Sequence, residues 1–253
     1  MFGPSVSLVD SLLFRHALAA WGRAAERAED LDLAGLRPLR ARAAALRLRL
    51  DRVIHAADRR LARPPAGTGG ARRPLGCDWD WRPAMFCGPL DPPGVAAPVS
   101  GTAFTAEARV FHDCPHAELG LRRITGPAAP HGLCIEVFRF AGSFLSLAID
   151  LPQAAADGLG RRHLIRLDSV IETERPLPIF ARLNICHGPD FAQLVRAIPP
   201  DGPATVVEFD LALTGIDARG VGRMWLDLIF EAPQMNRITL GDMVLSRRPR
   251  AEP

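Results

Sequence analysis

Two residue types are missing altogether: the chain has no lysine and no tyrosine, and all 31 of its basic residues are arginine. Without lysine, no Schiff base can form with a carbonyl substrate or pyridoxal phosphate, and neither a P-loop nor a protein-kinase phosphate site can be completed. Cysteine is sparse: positions 77, 87, 114, 134 and 186 make an odd number without C-x-x-C spacing, so a reduced, cytoplasmic chain is expected. No apolar run approaches the roughly 20 residues needed to span a bilayer. A secretory signal is not expected either, because no Arg precedes the first apolar stretch and Asp10, Arg15 and His16 interrupt it. There is no G-x-S-x-G, and GTGGAR at 67–72 follows no strand, so it reads as linker and not as a phosphate cradle.

What is present is distributed unevenly. Residues 1–73 hold 14 Arg against 7 acids, net +7, whereas residues 74–253 hold 17 Arg against 21 acids, net −4. A basic segment on a mildly acidic domain suits an anionic partner for the first part, or is a solvated helix face. At 253 residues the chain has room for one large domain, or for a domain with an accessory segment.

Periodicity divides the chain in three. Residues 1–62 form a basic α-helical hairpin. Val6, Val9, Leu13, Ala17, Ala20 and Ala24 recur three or four apart until Asp32 or Gly35 ends the pattern. Leu36, Leu39, Ala43, Leu46, Leu50, Val53 and Ala57 then alternate the same steps as a heptad seam does. Residues 63–101 are a Pro/Gly-rich linker and edge segment; the stretch 62–76 has almost no large apolar group, and Trp79 and Trp81 in CDWDWRP clamp it to the domain beyond. Residues 102–253 predict strands at 102–111, 117–125, 132–140, 143–151, 162–173, 176–187, 204–213, 223–231 and 237–245. Only 188–198 reads as helical, with Phe191, Leu194, Val195 and Ile198 on one side. Strict two-residue alternation marks the later strands. Leu177, Ile179, Ala181, Leu183 and Ile185 oppose Phe180, Arg182 and Asn184, and Met224, Leu226, Leu228 and Phe230 oppose Trp225 and Asp227. The expected fold is mainly β, an antiparallel jelly-roll β-sandwich.

The strings DWDWRP, VFHDC, FRFAGSFLSLAIDLP, RRHLIRLD, ERPLPIFARLNICHGP, VEFDLALT, WLDLIFEAPQMN and LSRRPRAE resemble an uncharacterised family, a domain of unknown function of Rhodobacter-like alphaproteobacteria. That resemblance implies a bacterial cytoplasmic setting and no mechanism. The stretch Met224–Ser246, closing on GDMVLS, is similar in pattern to the end of carbohydrate-binding jelly-roll modules.

The candidate ligand-binding residues are i, i+2 pairs on the outward phase of the late strands: Arg166 with Asp168, Arg182 with Asn184, Glu208 with Asp210, and Trp225 with Asp227. If their strands are neighbours, one sheet presents guanidinium, amide and carboxylate groups around an indole. Sugars are bound by that mixture: ring C–H faces meet an aromatic, and hydroxyls pair with planar polar groups. The competing reading is cross-strand ion pairing on a solvated face.

His112, Asp113, Cys114 and His116 are the densest metal-capable set. Pro115 prevents helical spacing there, a fourth ligand is not evident, and His131, Cys134 and His187 could help only if the fold brings them near, so no metal, cofactor or catalytic residue is assigned. The expected protein is a non-enzymatic binder of a glycan or hydroxyl-rich ligand. The alternative is a structural or assembly protein that docks on a protein partner, itself or an anionic membrane through residues 1–62. In that alternative Phe2, Leu12, Leu13, Phe14 and Trp21 meet the lipid and the protein sits on the inner membrane. Nucleic acid is not an expected partner.

Overall fold

The computed structural model describes residues 8–61, 75–88, 93–125, 131–199, 202–216 and 220–250. Most of the expected linker, 62–74, with its GTGGAR segment, lies outside the described residues, as do residues 1–7 with Phe2 and Val6. The chain forms two compact units, Met1–Ala57 and Asp58–Pro253.

In the first unit, α1 spans Leu8–Arg27 and α2 begins at Leu33, its element running to Leu61. Asp32 does not end the first helix; it opens the second, its Oδ1 accepting the Gly35 N–H at 2.9 Å while its carbonyl accepts the first helical bond from Leu36. Of the expected seam, Leu36, Leu39 and Leu46 are half-buried, as is Trp21 of α1. Leu12, Leu13, Phe14 and Leu18 on α1, and Leu50, Val53 and Ile54 on α2, are each more than half exposed. No helix among the described residues is long and apolar enough to cross a membrane.

The second unit is a jelly-roll β-sandwich of two antiparallel sheets. Its strands are β1 (Trp79–Trp81), β2 (Gly94–Ala96), β3 (Thr102–Ala103), β4 (Ala108–His112), β5 (Glu118–Ile124), β6 (Gly132–Arg139) and β7 (Phe144–Asp150), then β8 (His163–Thr173), β9 (Ile179–His187), β10 (Asp190–Ala197), β11 (Ala204–Asp210), β12 (Val221–Glu231) and β13 (Asn236–Pro249). One sheet runs β11-β8-β13-β6-β5-β2, with β1 also paired to β13; the other runs β10-β9-β12-β7-β4-β3. Two-residue alternation turns one phase of each strand inward. Ile165 and Leu167 of β8, Ala181, Leu183 and Ile185 of β9, and Leu226, Leu228 and Phe230 of β12 are wholly buried between the sheets.

β13 shows how the alternation is kept in phase with the core. Ile238 and Leu240 point inward, and continued alternation would bury Asp242 next. A bulge between Leu240 and Asp242 inserts Gly241, so Met243 and Leu245 take the inward positions and Asp242 turns out to accept a 2.8 Å hydrogen bond from Arg82.

The segment 188–198 departs from expectation: it is β10, not a helix. Gly188, at φ +58°, and Pro189 make the two-residue loop between His187 and Asp190. A positive φ followed by proline's fixed negative one is the sign pattern of a type II′ hairpin turn, which commits the chain to pair back on β9. The three-four spacing therefore mixes two faces: Leu194 and Ile198 are buried, while Phe191 and Val195 stand out on the other side, nearly half exposed.

The far end of β13 carries an inward arginine. Arg247 is buried, donating to Asp78 Oδ1 at 3.0 Å and to the carbonyls of Ala155 and Asp157 at 3.1 and 2.7 Å. β1 pairs alongside it, and Trp79 and Trp81 pack on the core. Removing this guanidinium strands three acceptors at once. Arg247→Ala is expected to lower the unfolding free energy in urea by about 3 kcal/mol, the low end for a broken buried pair because Asp78 keeps contact with water. A loss within experimental error would show that the end of β13 is held by pairing and tryptophan packing alone.

Candidate functional site

The outer face of the six-stranded sheet is organised in rows set by register. One row crosses four strands as Arg109, Ala148, Asp227 and Arg182. The next runs Asp150, Trp225, Asn184 and Gln193, and on the other side lie Phe111, Ser146 and Ile229. Ala148 and Ser146 are short side chains in the middle of long ones, so the face sinks there into a depression of about 400 Å³. Arg109, Phe111, Phe144, Arg182, Arg223 and Trp225 stand around it.

Its floor is polar and fixed. Asp227 is only 4% exposed, and its Oδ2 accepts from Arg182 Nε and Nη2 at 3.0 and 2.8 Å and from Asn184 Nδ2 at 2.8 Å. Asn184, fully buried, has its own oxygen capped by Gln193 at 2.9 Å. Asp227 Oδ1 has no hydrogen-bond partner among the described residues, and neither does the buried Ser146 hydroxyl. Asp227 lines the depression, and a buried carboxylate with one oxygen saturated and one unpaired is a fixed acceptor there.

The rim is aromatic and cationic. Trp225 is half-buried and not a bare platform: the Phe191 ring lies 5.3 Å from it at 31°, and the Arg223 guanidinium carbon lies 5.1 Å from its centroid. Arg223 also donates twice to Asp150 Oδ1, at 3.0 and 2.6 Å. The arrangement offers apolar edges from Phe111, Phe144 and Trp225 beside planar hydrogen-bonding groups.

The eight residues singled out from the sequence do not share a sheet. Arg182, Asn184, Trp225 and Asp227 come together on β9 and β12. Arg166, Asp168, Glu208 and Asp210 lie on β8 and β11 in the other sheet, because β8 pairs with β11 and β13 and never meets β9. There they are occupied by ion pairs: Arg166 with Asp168 at 2.7 Å, Arg248 with Glu208 and Arg250 with Asp210 at 3.2 Å each. The hydrogen bond from Arg166 to Asp168 raises the Arg166 pKa above its ordinary value. Arg109, Phe111, Ser146, Asp150 and Arg223 are additions that the structure makes. The same outward phase marks the first four on β4 and β7, but nothing in the sequence shows that these strands adjoin β12.

The His112–His116 cluster is drawn apart. His112 Nε2 donates to the Pro98 carbonyl at 3.1 Å, and buried Cys114 accepts the Ala141 N–H at 3.3 Å, while His116 is exposed. Among the described residues no set of three or more His, Cys, Asp or Glu side chains is placed to hold a metal. Asp113 instead fastens the turn before β7. The Ser143 hydroxyl and N–H, with the Phe144 N–H, hold its carboxyl at about 2, below the ordinary 3.8. Gly142 is required there, since a Cβ would collide with Asp113 Oδ1 and the Cys114 nitrogen. A carboxylate whose folded pKa is depressed contributes stability that is complete above its unfolded pKa and lost as pH falls through the folded value. Between pH 3.8 and about 2, Asp113→Asn should therefore flatten the fall of stability, read from urea melts at stepped pH; identical slopes would refute the assignment.

Comparison with solved structures finds a family 11 carbohydrate-binding module from Clostridium thermocellum in complex with a β-1,3-1,4-mixed-linked tetrasaccharide. It has 11% identity and a TM-score of 0.40, covering 61% of this chain and 96% of that one. The C-terminal family 22 carbohydrate-binding module of Clostridium thermocellum Xyn10B is similar at 9% identity and TM-score 0.37, over 59% and 90%. A cyclase from Fischerella sp. TAU is similar at 12% and 0.38, over 63% and 100%. Likenesses at these scores say nothing of this chain's ligand. A search of curated proteins finds no match. The whole chain, residues 1–253, matches one family model, and the protein belongs to that family of unknown function, DUF6478.

Proposed function

We propose that this is a non-catalytic binding protein that takes a glycan or similar hydroxyl-rich ligand in the depression of the six-stranded sheet. The observation that carries the reading is Asp227: a buried carboxylate lining the depression, fixed through Oδ2 by Arg182 and Asn184, with Oδ1 making no hydrogen bond to the described residues. A sugar hydroxyl donates to such an oxygen, neighbouring guanidiniums receive the ring and hydroxyl oxygens, and the C–H faces lie against Phe111, Phe144 and Trp225. The cytoplasmic setting and alphaproteobacterial origin expected from the sequence belong to the same proposal.

The decisive variant fills the depression without touching the core. Ala148 faces outward from β7 between Arg109 and Asp227. Ala148→Phe should abolish binding on a glycan array and in calorimetry while leaving the melting temperature within a few degrees of wild type. Trp225→Ala should weaken binding at least about tenfold, with some loss of stability because Phe191 and Arg223 rest on the indole. An array without a hit for the wild type, or binding untouched by Ala148→Phe, would remove the proposal.

A second reading rests on α1 and α2, where exposed Leu13, Phe14, Leu18, Val53 and Ile54 accompany a segment of net charge +7. Apolar side chains with arginines around them suit an anionic lipid surface. The full chain should cosediment with phosphatidylserine vesicles at low salt, come off at high salt and lose the association in Phe14→Glu. A salt-insensitive dimer without vesicle binding would assign the helices to self-association.

A further inference from the structure

The charges around the depression do not balance. Three guanidiniums, Arg109, Arg182 and Arg223, line it with two carboxylates, Asp150 and Asp227. Arg182 is committed to Asp227 through both donating nitrogens, and Arg223 holds Asp150 through two bonds to Oδ1. Arg109 is left over. Its nearest carboxylate oxygen, Asp150 Oδ2, is 3.8 Å away, beyond hydrogen-bond reach, and belongs to a group that Arg223 already neutralises. Among the described residues Arg109 makes no hydrogen bond, and its side chain is 46% exposed at the rim, one row position from Ala148 and two from Asp227.

We infer that the ligand is an acidic glycan, whose oxyanion is taken by Arg109 while its hydroxyls meet Asp227; this rests on the glycan reading above. A guanidinium with its planar fork of donors unengaged matches a carboxylate or sulfate ester in two parallel bonds, a geometry that a lone hydroxyl cannot return. The residues from 74 onward carry net −4, so the attraction is local to this rim and not a property of the whole domain. Specificity comes from the other carboxylate: Asp227 Oδ1 rejects a second oxyanion deeper in the depression, so one acidic group per bound unit fits, at the Arg109 end.

Calorimetry with the full chain tests this, using a uronate oligomer, a sulfated neutral oligomer and an uncharged β-glucan of matched length. At least one oxyanion-bearing ligand should bind about tenfold or more tighter than the uncharged one, with the advantage shrinking as salt rises; which of the two does so tells carboxylate from sulfate ester. Arg109→Gln should bring the affinity ratio near one, and Arg109→Lys should keep only part of it, because an ammonium restores the charge without the two-bond fork; both substitutions are at the surface, and unchanged melting temperatures confirm the fold. Equal affinity for charged and uncharged ligands overturns this inference and leaves the glycan reading standing. A ratio undisturbed in Arg109→Gln overturns the role of Arg109, and no binding to any of the three overturns both.

Discussion

The outer face of the six-stranded sheet depends on one ion pair whose carboxylate, Asp227, is buried. A carboxylate almost without solvent is tolerable only when hydrogen bonds replace its hydration, and Asp227 obtains three of them on a single oxygen. Asn184 is held in turn, through Gln193 and the Trp225 carbonyl. Three adjacent strands are thus locked side chain to side chain above their backbone ladder. That rigidity is what makes the depression a recess with fixed polar atoms and not a patch of mobile long side chains.

The two sheets treat polar alternation in opposite ways. On the seven-stranded sheet outward charges close on one another, Arg166 with Asp168, Arg122 with Glu136 at 3.0 Å, and Arg248 with Glu208, so those groups satisfy each other. On the six-stranded sheet a small residue, Ala148, stands where a partner side chain would be, and the charges around it remain partly open. The same pattern in sequence therefore yields a solvated face on one side and a recess on the other, and the difference lies in which strands adjoin.

This is also the boundary of what can be read from the chain. Two-residue alternation is a local property, so the inward and outward phases of β8, β9, β11 and β12 are legible from their own residues, and the sandwich with them. Neighbourhood is not local. Nothing within β8 says that it pairs with β11 and β13 while β9 pairs with β10 and β12, so eight residues on a common phase divide between two sheets. β10 misleads because Phe191, Leu194, Val195 and Ile198 satisfy a helical spacing by coincidence, whereas the deciding signal is the Gly188–Pro189 turn before them. The Gly241 bulge is hidden for a similar reason, since an inserted residue is visible only against its partner strand. Arg109 shows its outward phase but not its importance, which comes from β4 lying beside β7.

The pairing of β1 with the end of β13 has a consequence for how the sandwich comes to exist. Trp79 adjoins Arg247, so the first strand of the sandwich finds its place only beside the last one. β13 is also the partner of β8 and β6, which places a central strand at the very end of the sandwich sequence. Closing so long a loop is entropically costly and offers no reward until the last strand is available, which marks a slow, non-local folding route. On the ribosome, β6 and β8 would each wait with one open edge until the last strand is made. A chain cut short before residue 236 would keep nearly all of its core residues and still have no way to join the two halves of its larger sheet.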